Sequence, residues 1–333
     1  MAASESELID RFFRHLGAKR ADVVLGIGDD AALLAVAADC ELVLTTDALV
    51  QGVHFLPGAP ARSLGHRALA VNLSDIAAMG ASPSWMLLSL QLPQADEPWL
   101  QEFCAGMAAL ARAHQVALVG GNLSRGPLAI TVELAGQVPR GQGLRRDGAH
   151  PGDALYVSGT PGDAAAGRER LHDPAATNDP AAATLARRFQ YPQPRVALGQ
   201  ALRGLASACI DISDGLYVDA TRLLEASGCS AQIELEHLPL SDELTRLAGV
   251  EAPRLALYGG EDYELCFTAA PGQAAAVAEA AARLGQRVSC VGRLDMRTRG
   301  GTPTPTLRLK SSNADAVNAL MQAPAASFDH FRR

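Results

Sequence analysis

GIGDDAALL, residues 26–34, decides how the first half of the chain is to be read. Residues Gly26 to Ala31 satisfy the GxGxxG/A spacing of a dinucleotide-binding turn, and Asp47 stands about where a ribose-binding acid would, roughly 20 residues on. Such a turn holds a pyrophosphate on bare backbone N–H groups at a helix N-terminus. Two adjacent carboxylates, Asp29 and Asp30, would repel those phosphates unless cations intervene. The stretch therefore reads as an acidic turn after a strand, suited to a cation-dependent site, and the dinucleotide reading is set aside.

Outward from it, apolar residues gather in β-type runs at 23–27, 42–46, 85–92, 116–119 and 130–135. Leu8, Ile9, Phe12, Phe13 and Leu16 precede them at helical spacing over 5–16, and helical stretches at 62–79 and 97–114 lie between them. Residues 139–153, PRGQGLRRDGAHPGD, are rich in Gly and Arg, and a domain boundary is placed there, giving domains 1–150 and 151–333. The second half supplies strands at 154–157, 208–212, 231–235 and 264–268, with helices at 160–167, 216–226 and 274–284. Alanine-rich, polar residues 168–185 read as a surface insertion or irregular helix. Strands and helices mingle in both halves, so the fold class is α/β (α+β), two mixed α/β domains.

Composition narrows the function. With 333 residues and 48% hydrophobic content the chain fills two ordinary cores and is not disordered. A formal net charge of −7 offers no basic field for nucleic acid. The acidic N-terminus does not read as a secretory signal, and no apolar run is long enough for a bilayer. The 6 cysteines are scattered without a CxxC pair, in settings such as Ala208-Cys209-Ile210; they read as reduced core thiols of a cytoplasmic protein. Lys19 and Lys310 are the only lysines, and neither completes GxxxxGK[ST], so a P-loop is excluded. The lysine and catalytic loop of protein kinases are missing too.

Aspartates at element ends or in apolar settings carry the chemistry. Asp29 and Asp30 follow one strand and Asp47 another. Asp75 lies in the helix HRALAVNLSDIAAMGA, apolar round most of its circumference, and is expected to be buried. Asp211 and Asp214 bracket Ser213 in CIDISDGL, a strand-to-helix turn. Unpaired buried carboxylates are costly and like charges raise one another's pKa, so arginines or cations must neutralise them. Few arginines neighbour these motifs in sequence, and all-oxygen ligands favour Mg²⁺, Mn²⁺ or Ca²⁺ over zinc. Mg²⁺ usually takes one or two carboxylates plus phosphate oxygens, so several ions around a polyphosphate fit the set. Plainer roles stay open: Ser213 or Asp214 as helix caps, Asp29 as a turn residue.

GIGDDAALL, TTDALVQGVHF, ALAVNLSDIAAMGA, GGNLSRGPL, CIDISDGL and GGEDYELCF follow one another from residue 26 to 267, with SFDHF near the C-terminus. In that order they resemble the signatures of the thiamine-monophosphate kinases, in the ATP-binding superfamily of aminoimidazole ribonucleotide synthetase. The resemblance implies ATP-dependent phosphorylation of thiamine monophosphate to thiamine diphosphate by direct transfer assisted by several Mg²⁺ ions. It implies a homodimer whose N-terminal ATP- and Mg-binding domains pair into a barrel-like core, and a C-terminal sheet covered by helices that completes the site. Carried over by position, Asp30, Thr45, Thr46, Asp47, Asp75, Asn122, Asp211 and, as an outer ligand, Asp214 would hold Mg²⁺. Gly121, Asn122, Arg146 and Ser213 would contact ATP, and His54, Glu261 and Phe328 thiamine monophosphate. The family commonly has aspartate where this chain has Asn122; an amide oxygen can coordinate Mg²⁺ but lacks the charge. No general base is expected, because the attacking phosphate oxygen is largely ionised with a second pKa of about 6. The rivals are aminoimidazole ribonucleotide synthetase, a nucleotide-binding protein without turnover, and a nicotinamide-dependent dehydrogenase using GIGDDA.

Overall fold

The computed structural model describes residues 4–171, 178–295 and 305–322. Of these, the residues up to Ile76 with Ala81–Gln142 form one unit, and Ala77–Gly80 with the residues from Gly143 onward form a second.

In the first unit Ser4 and Glu7 cap helix α1 (Glu5–Leu8) reciprocally, which fixes where it starts. The helix expected over 5–16 then loosens into a π-turn at Ile9–Phe13, where the amide of Arg14 donates to Ile9 O. Short strands β1 (Val23–Leu25) and β2 (Leu33–Leu34) pair antiparallel around the acidic turn. Then follow β3 (Cys40–Val50), α2 (Ala61–Ala78), β4 (Ser82–Leu92), α3 (Glu97–Ala113), β5 (Ala117–Arg125) and β6 (Ala129–Pro139). The sheet order is β3-β6-β4-β5, antiparallel except for the parallel pair β4–β5. Helix α2 is buried on nearly every side, its polar Ser63, Arg67, Asn72 and Ser74 included, and Leu69, Leu73 and Ile76 are fully enclosed. On α3 Leu100, Phe103 and Met107 are buried, and Asp96 caps its start. Trp85, Ala117 and Val119 pack beneath Val23, Ala32 and Leu34 of the β1–β2 hairpin. Leu42, Leu44 and Leu87 are left 46%, 60% and 38% exposed within this unit.

The second unit contains β7 (Ala154–Ser158), α4 (Asp163–Arg170), α5 (Pro180–Gln190), α6 (Val196–Ala201), β8 (Ala208–Ile212), α7 (Leu216–Ser227) and β9 (Ala231–Glu234). After them come α8 (Asp242–Ala248), α9 (Ala252–Tyr258), β10 (Glu264–Ala269), α10 (Ala274–Arg283), β11 (Val288–Leu294), β12 (Leu307–Lys310) and α11 (Ala314–Gln322). Its sheet runs β12-β9-β11-β7-β10-β8, antiparallel except β12–β9. Strands β7, β8 and β10 are buried along their whole length, and α7 packs Leu216, Leu223 and Leu224 against Ile210 and Ile212. Of the two readings of 168–185, surface insertion or irregular helix, the described residues bear out the helical one. Arg168–Arg170 end α4, and α5 buries Leu185 completely against Ala165 and Ala166, because small alanines let the helices approach closely. Among the described residues no helix is long and apolar enough to cross a membrane.

Candidate active site

The acidic turn of 26–31 lies between two strands, and a strand follows it where a dinucleotide fold needs a helix. Its backbone amides therefore gain no helix dipole, which is the physical reason to discard the nicotinamide reading. Arg14 steadies the turn: Nη1 donates to Ile27 O at 3.0 Å while Nε holds Asp10 at 2.7 Å. The amide of Asp30 donates to Asp29 Oδ1 at 2.9 Å, and both side chains are exposed. They line a groove of about 820 Å³ together with Gly121 and Asn122 of β5 and Glu133 of β6. The first and fourth motifs thus come together. Glu133 is an addition that sequence reasoning missed; the alternation ITVEL, which sets a lone charge between apolar positions, was the available signal.

Gly121 shapes this groove. Its φ is +146°, and a Cβ there would fall 1.9 Å from Leu88 O on the neighbouring strand. The bulge in the β4–β5 register just before this point lets the two backbones close up.

A second cluster sits on β3. Thr45 Oγ1 donates to Asp75 Oδ2 at 2.5 Å, joining the second and third motifs. Asp75 is only half-buried, not enclosed as expected, because it occupies a position where the circumference of α2 opens toward Thr45. Asp47 was expected to follow a strand; it stands within β3, opposite Val132, since β6 accompanies the strand as far as Val50. It shares a face with Thr45, as alternation requires. Thr46 faces the other way, opposite Glu133, and its hydroxyl donates to Val132 O at 3.1 Å. The two threonine hydroxyls therefore serve different faces. His54 follows in a tight turn, where its Nδ1 accepts from the Val50 amide at 3.0 Å and its carbonyl accepts from the buried Arg67 at 3.4 Å. With Nδ1 accepting, the ring proton of the neutral imidazole sits on Nε2.

In the second unit strand β8 carries buried Asp211, and the turn after it carries Ser213 and Asp214. Asp219, one turn into α7 and 1% exposed, accepts from the amides of Ser213, Asp214 and Gly215 at 3.0, 2.9 and 3.2 Å through a single oxygen. Burial nonetheless pushes its carboxyl above the usual range, against those hydrogen bonds. Arg222 pairs with Asp219 at 2.8 Å and with Asp214 at 2.5 Å. Few arginines neighbour this motif in sequence, and Arg222 reaches it in space from the helix that follows. Neither Asp219 nor Arg222 was singled out from sequence, though their i,i+3 spacing on one helix was legible. Arg146 is exposed, and its carbonyl accepts from Ser227 Oγ at 2.7 Å, tying its segment to α7. Glu261 is half-buried at φ +66° and accepts from the Tyr263 hydroxyl at 2.9 Å. Phe328 and the SFDHF motif lie outside the described residues.

Among the described residues no three His, Cys, Asp or Glu side chains converge as a ready-made metal cage. The oxygen donors present are a carboxylate hydrogen-bonded to a hydroxyl at Asp75–Thr45, and the carboxylates and amide of Asp29, Asp30, Glu133 and Asn122 that line the same groove. Such a set fits Mg²⁺, which completes its octahedron with water and substrate phosphates, better than zinc or calcium, which need more protein ligands.

Models of the AIR synthase related protein N-terminal and C-terminal domains match residues 28–138 and 150–302. The thiamine-monophosphate kinase of Salmonella typhimurium strain LT2 is 45% identical over 302 residues, 90% of this chain and 93% of that protein. Among solved structures, the thiamine-monophosphate kinase from Stenotrophomonas maltophilia K279a is 44% identical with a TM-score of 0.81, covering 87% of this chain and 92% of that one. AaThiL complexed with AMPPCP and TMP is 34% identical with a TM-score of 0.73, over 84% and 87%.

Proposed function

The chain belongs to the AIR synthase related family and, within it, to the thiamine-monophosphate kinases, and from that premise we propose how its own residues perform the reaction. It phosphorylates thiamine monophosphate to thiamine diphosphate at the expense of ATP. The observation that carries the site reading is the groove that sets Asp30 beside Gly121 and Asn122.

Two polyanions must approach within bonding distance, and at an effective dielectric of 20 each like pair of unit charges 4 Å apart costs about 4 kcal/mol. Mg²⁺ ions, when bound, offset that repulsion and neutralise charge on the transferring phosphoryl group. Asp30, Asn122, Asp47, Asp75 and Thr45 of the first unit, with the backbone of Thr46, would hold them, as would Asp211 of the second and, from further out, Asp214. Gly121 lets β5 close up on β4, where a side chain would strike Leu88, and offers its backbone to ATP. Arg146 supplies a planar fork for phosphate, and the Ser213 hydroxyl a further contact. His54 presents Nε2–H to thiamine monophosphate, and Glu261 and Phe328 receive its heterocycles. The attacking oxygen needs no proton removed, so these residues bind and orient.

Leu42, Leu44 and Leu87 support the reading that a second copy covers the open sheet face, pairing the N-terminal domains of a homodimer. Cysteines without a disulfide partner support a cytoplasmic setting. The decisive assay is ADP release with and without thiamine monophosphate, repeated in EDTA. Release that ignores the monophosphate, or survives chelation, contradicts the reading. Leu44→Glu should shift sedimentation toward monomer; an unchanged dimer would place the interface elsewhere.

A further inference from the structure

Residues 260–263 are held in a conformation that the roles given above leave unexplained. Gly260, Glu261 and Tyr263 have φ of +69°, +66° and +52°, so two residues bearing side chains occupy the left-handed region. Such conformers persist only where the surroundings over-determine them, and they gather at functional sites. Here the surroundings act from two sides. Above, the amide of Glu261 donates to Ser213 O at 2.7 Å and that of Tyr263 to Ile212 O at 2.8 Å, tying the turn to the strand end that carries Asp211 and Ser213. Below, the Asp262 carboxylate accepts from the Gly162 amide at 2.9 and 3.0 Å and from the Ala164 amide at 3.3 Å. It thereby caps α4, whose own N-cap residue Gly162 has no side chain to do so.

The consequence falls on Glu261. A glutamate side chain has several rotatable bonds and loses much freedom when it must meet a ligand in one pose. The buried Tyr263 hydroxyl donates to Glu261 Oε2 at 2.9 Å and fixes that pose in advance. We propose that Tyr263 and Asp262 are the positioning residues of the thiamine monophosphate site: Asp262 pins the turn to α4, and Tyr263 orients the Glu261 carboxylate toward the substrate. The inference rests on the reading of Glu261 as a substrate contact.

The test is a double-mutant cycle in the full chain, with Tyr263→Phe, Glu261→Gln and the double variant, reading KM for thiamine monophosphate, KM for ATP, kcat and the melting temperature. Tyr263→Phe keeps the buried ring and should raise KM for thiamine monophosphate roughly tenfold, the scale of a hydrogen bond to a charged group, with kcat within about twofold. In the Glu261→Gln background the same change should add less than about twofold, because its effect runs through the missing carboxylate. Asp262→Asn should give the same non-additive KM pattern together with a lower melting temperature, and in the Glu261→Gln background only the melting loss should remain. Glu261→Gln raising KM while Tyr263→Phe and Asp262→Asn leave it unchanged overturns the proposal alone. Factors that simply multiply in the double variants do the same, since a merely structural role predicts that. Glu261→Gln with wild-type KM overturns the substrate reading of Glu261 and the proposal with it.

Discussion

Gly121→Ala tests whether the close approach of β4 and β5 is what the site needs. The added Cβ would sit 1.9 Å from Leu88 O, 2.7 Å from Leu88 C and 2.8 Å from Leu88 N, all backbone atoms. Ordinary contact is about 3.5 Å, so Leu88 would have to withdraw by about 1.5 Å, enough to break the local ladder. The backbone strain at φ +146° is of order 1–3 kcal/mol, and one or two lost hydrogen bonds add about 1 kcal/mol each. A total of about 4 kcal/mol corresponds to a fall of roughly 10–15 °C in the thermal midpoint of a unit this size. Gly58→Ala is the control. Its φ is +83°, but nothing lies within 4 Å of its Cβ position, so only about 1–2 kcal/mol of conformational strain applies. Calorimetry of both variants reads the difference, and KM for ATP should rise in Gly121→Ala alone. Equal melting temperatures for the two variants, or an unchanged KM for ATP in Gly121→Ala, would refute the reasoning.

Three further outcomes are expected. If His54 binds the substrate without moving a proton, as proposed, His54→Asn should raise KM for thiamine monophosphate by about tenfold and leave kcat within about threefold; lost turnover at saturating substrate with unchanged affinity contradicts this. Asn122→Asp should preserve or tighten Mg²⁺ binding measured by isothermal titration in the presence of a non-hydrolysable ATP analogue, because a carboxylate adds charge to an oxygen already in place; weaker binding would give the amide another task. Burial pushes the carboxyl of Asp262 well above the usual range, and those of Asp163 and Asp219 upward. The folded state then holds protons that the unfolded chain releases, so these groups add stability as pH falls from neutrality toward 3.8 and lose it as pH rises. His114, pushed down by burial, works in the opposite direction below pH 6.5, so the diagnostic is a difference. The stability gap between the wild type and Asp262→Asn should widen from pH 7.5 to about pH 5.5 in urea denaturation; a constant gap refutes the assignment.

What the sequence made legible follows from how local each signal is. Strand β8 was read with its observed ends because ACIDI is enclosed along its length and bounded by Ser207 and Ser213. Strand β5 was read short at Val119, since Gly120 and Gly121 look like a turn in sequence; in the sheet they are strand residues that let a neighbour come close. Strand β11, VSCVGRL, escaped notice because a register shift between Cys290 and Gly292 breaks its alternation. The residues on named motifs could be listed from sequence, but their supports were not, although spacing and alternation hinted at some of them. Asp219 and Arg222 act on the turn before their own helix, Tyr263 acts on Glu261 two residues away, and Glu133 reaches the groove from β6, outside the motifs.

Those supports divide the acidic residues into two populations, and the division bears on how the enzyme works. Asp219 gives one oxygen to backbone amides and the other to Arg222, and Asp262 gives both of its oxygens to amides, so both act as structural acceptors. Asp29, Asp30 and Asp47 are exposed, so their charge costs little desolvation in the free protein. Asp75 and Asp214 stand between, each half-buried, with a threonine hydroxyl against the carboxylate of the first and an arginine against that of the second. A site that must admit and release highly charged reactants at each turnover gains from this arrangement. On the proposed reading, rigid turns are set by carboxylates bound to the fold's own donors, exposed Asp30 and Asp47 are accessible to cations from solvent, and Asp211 would meet one from a buried position.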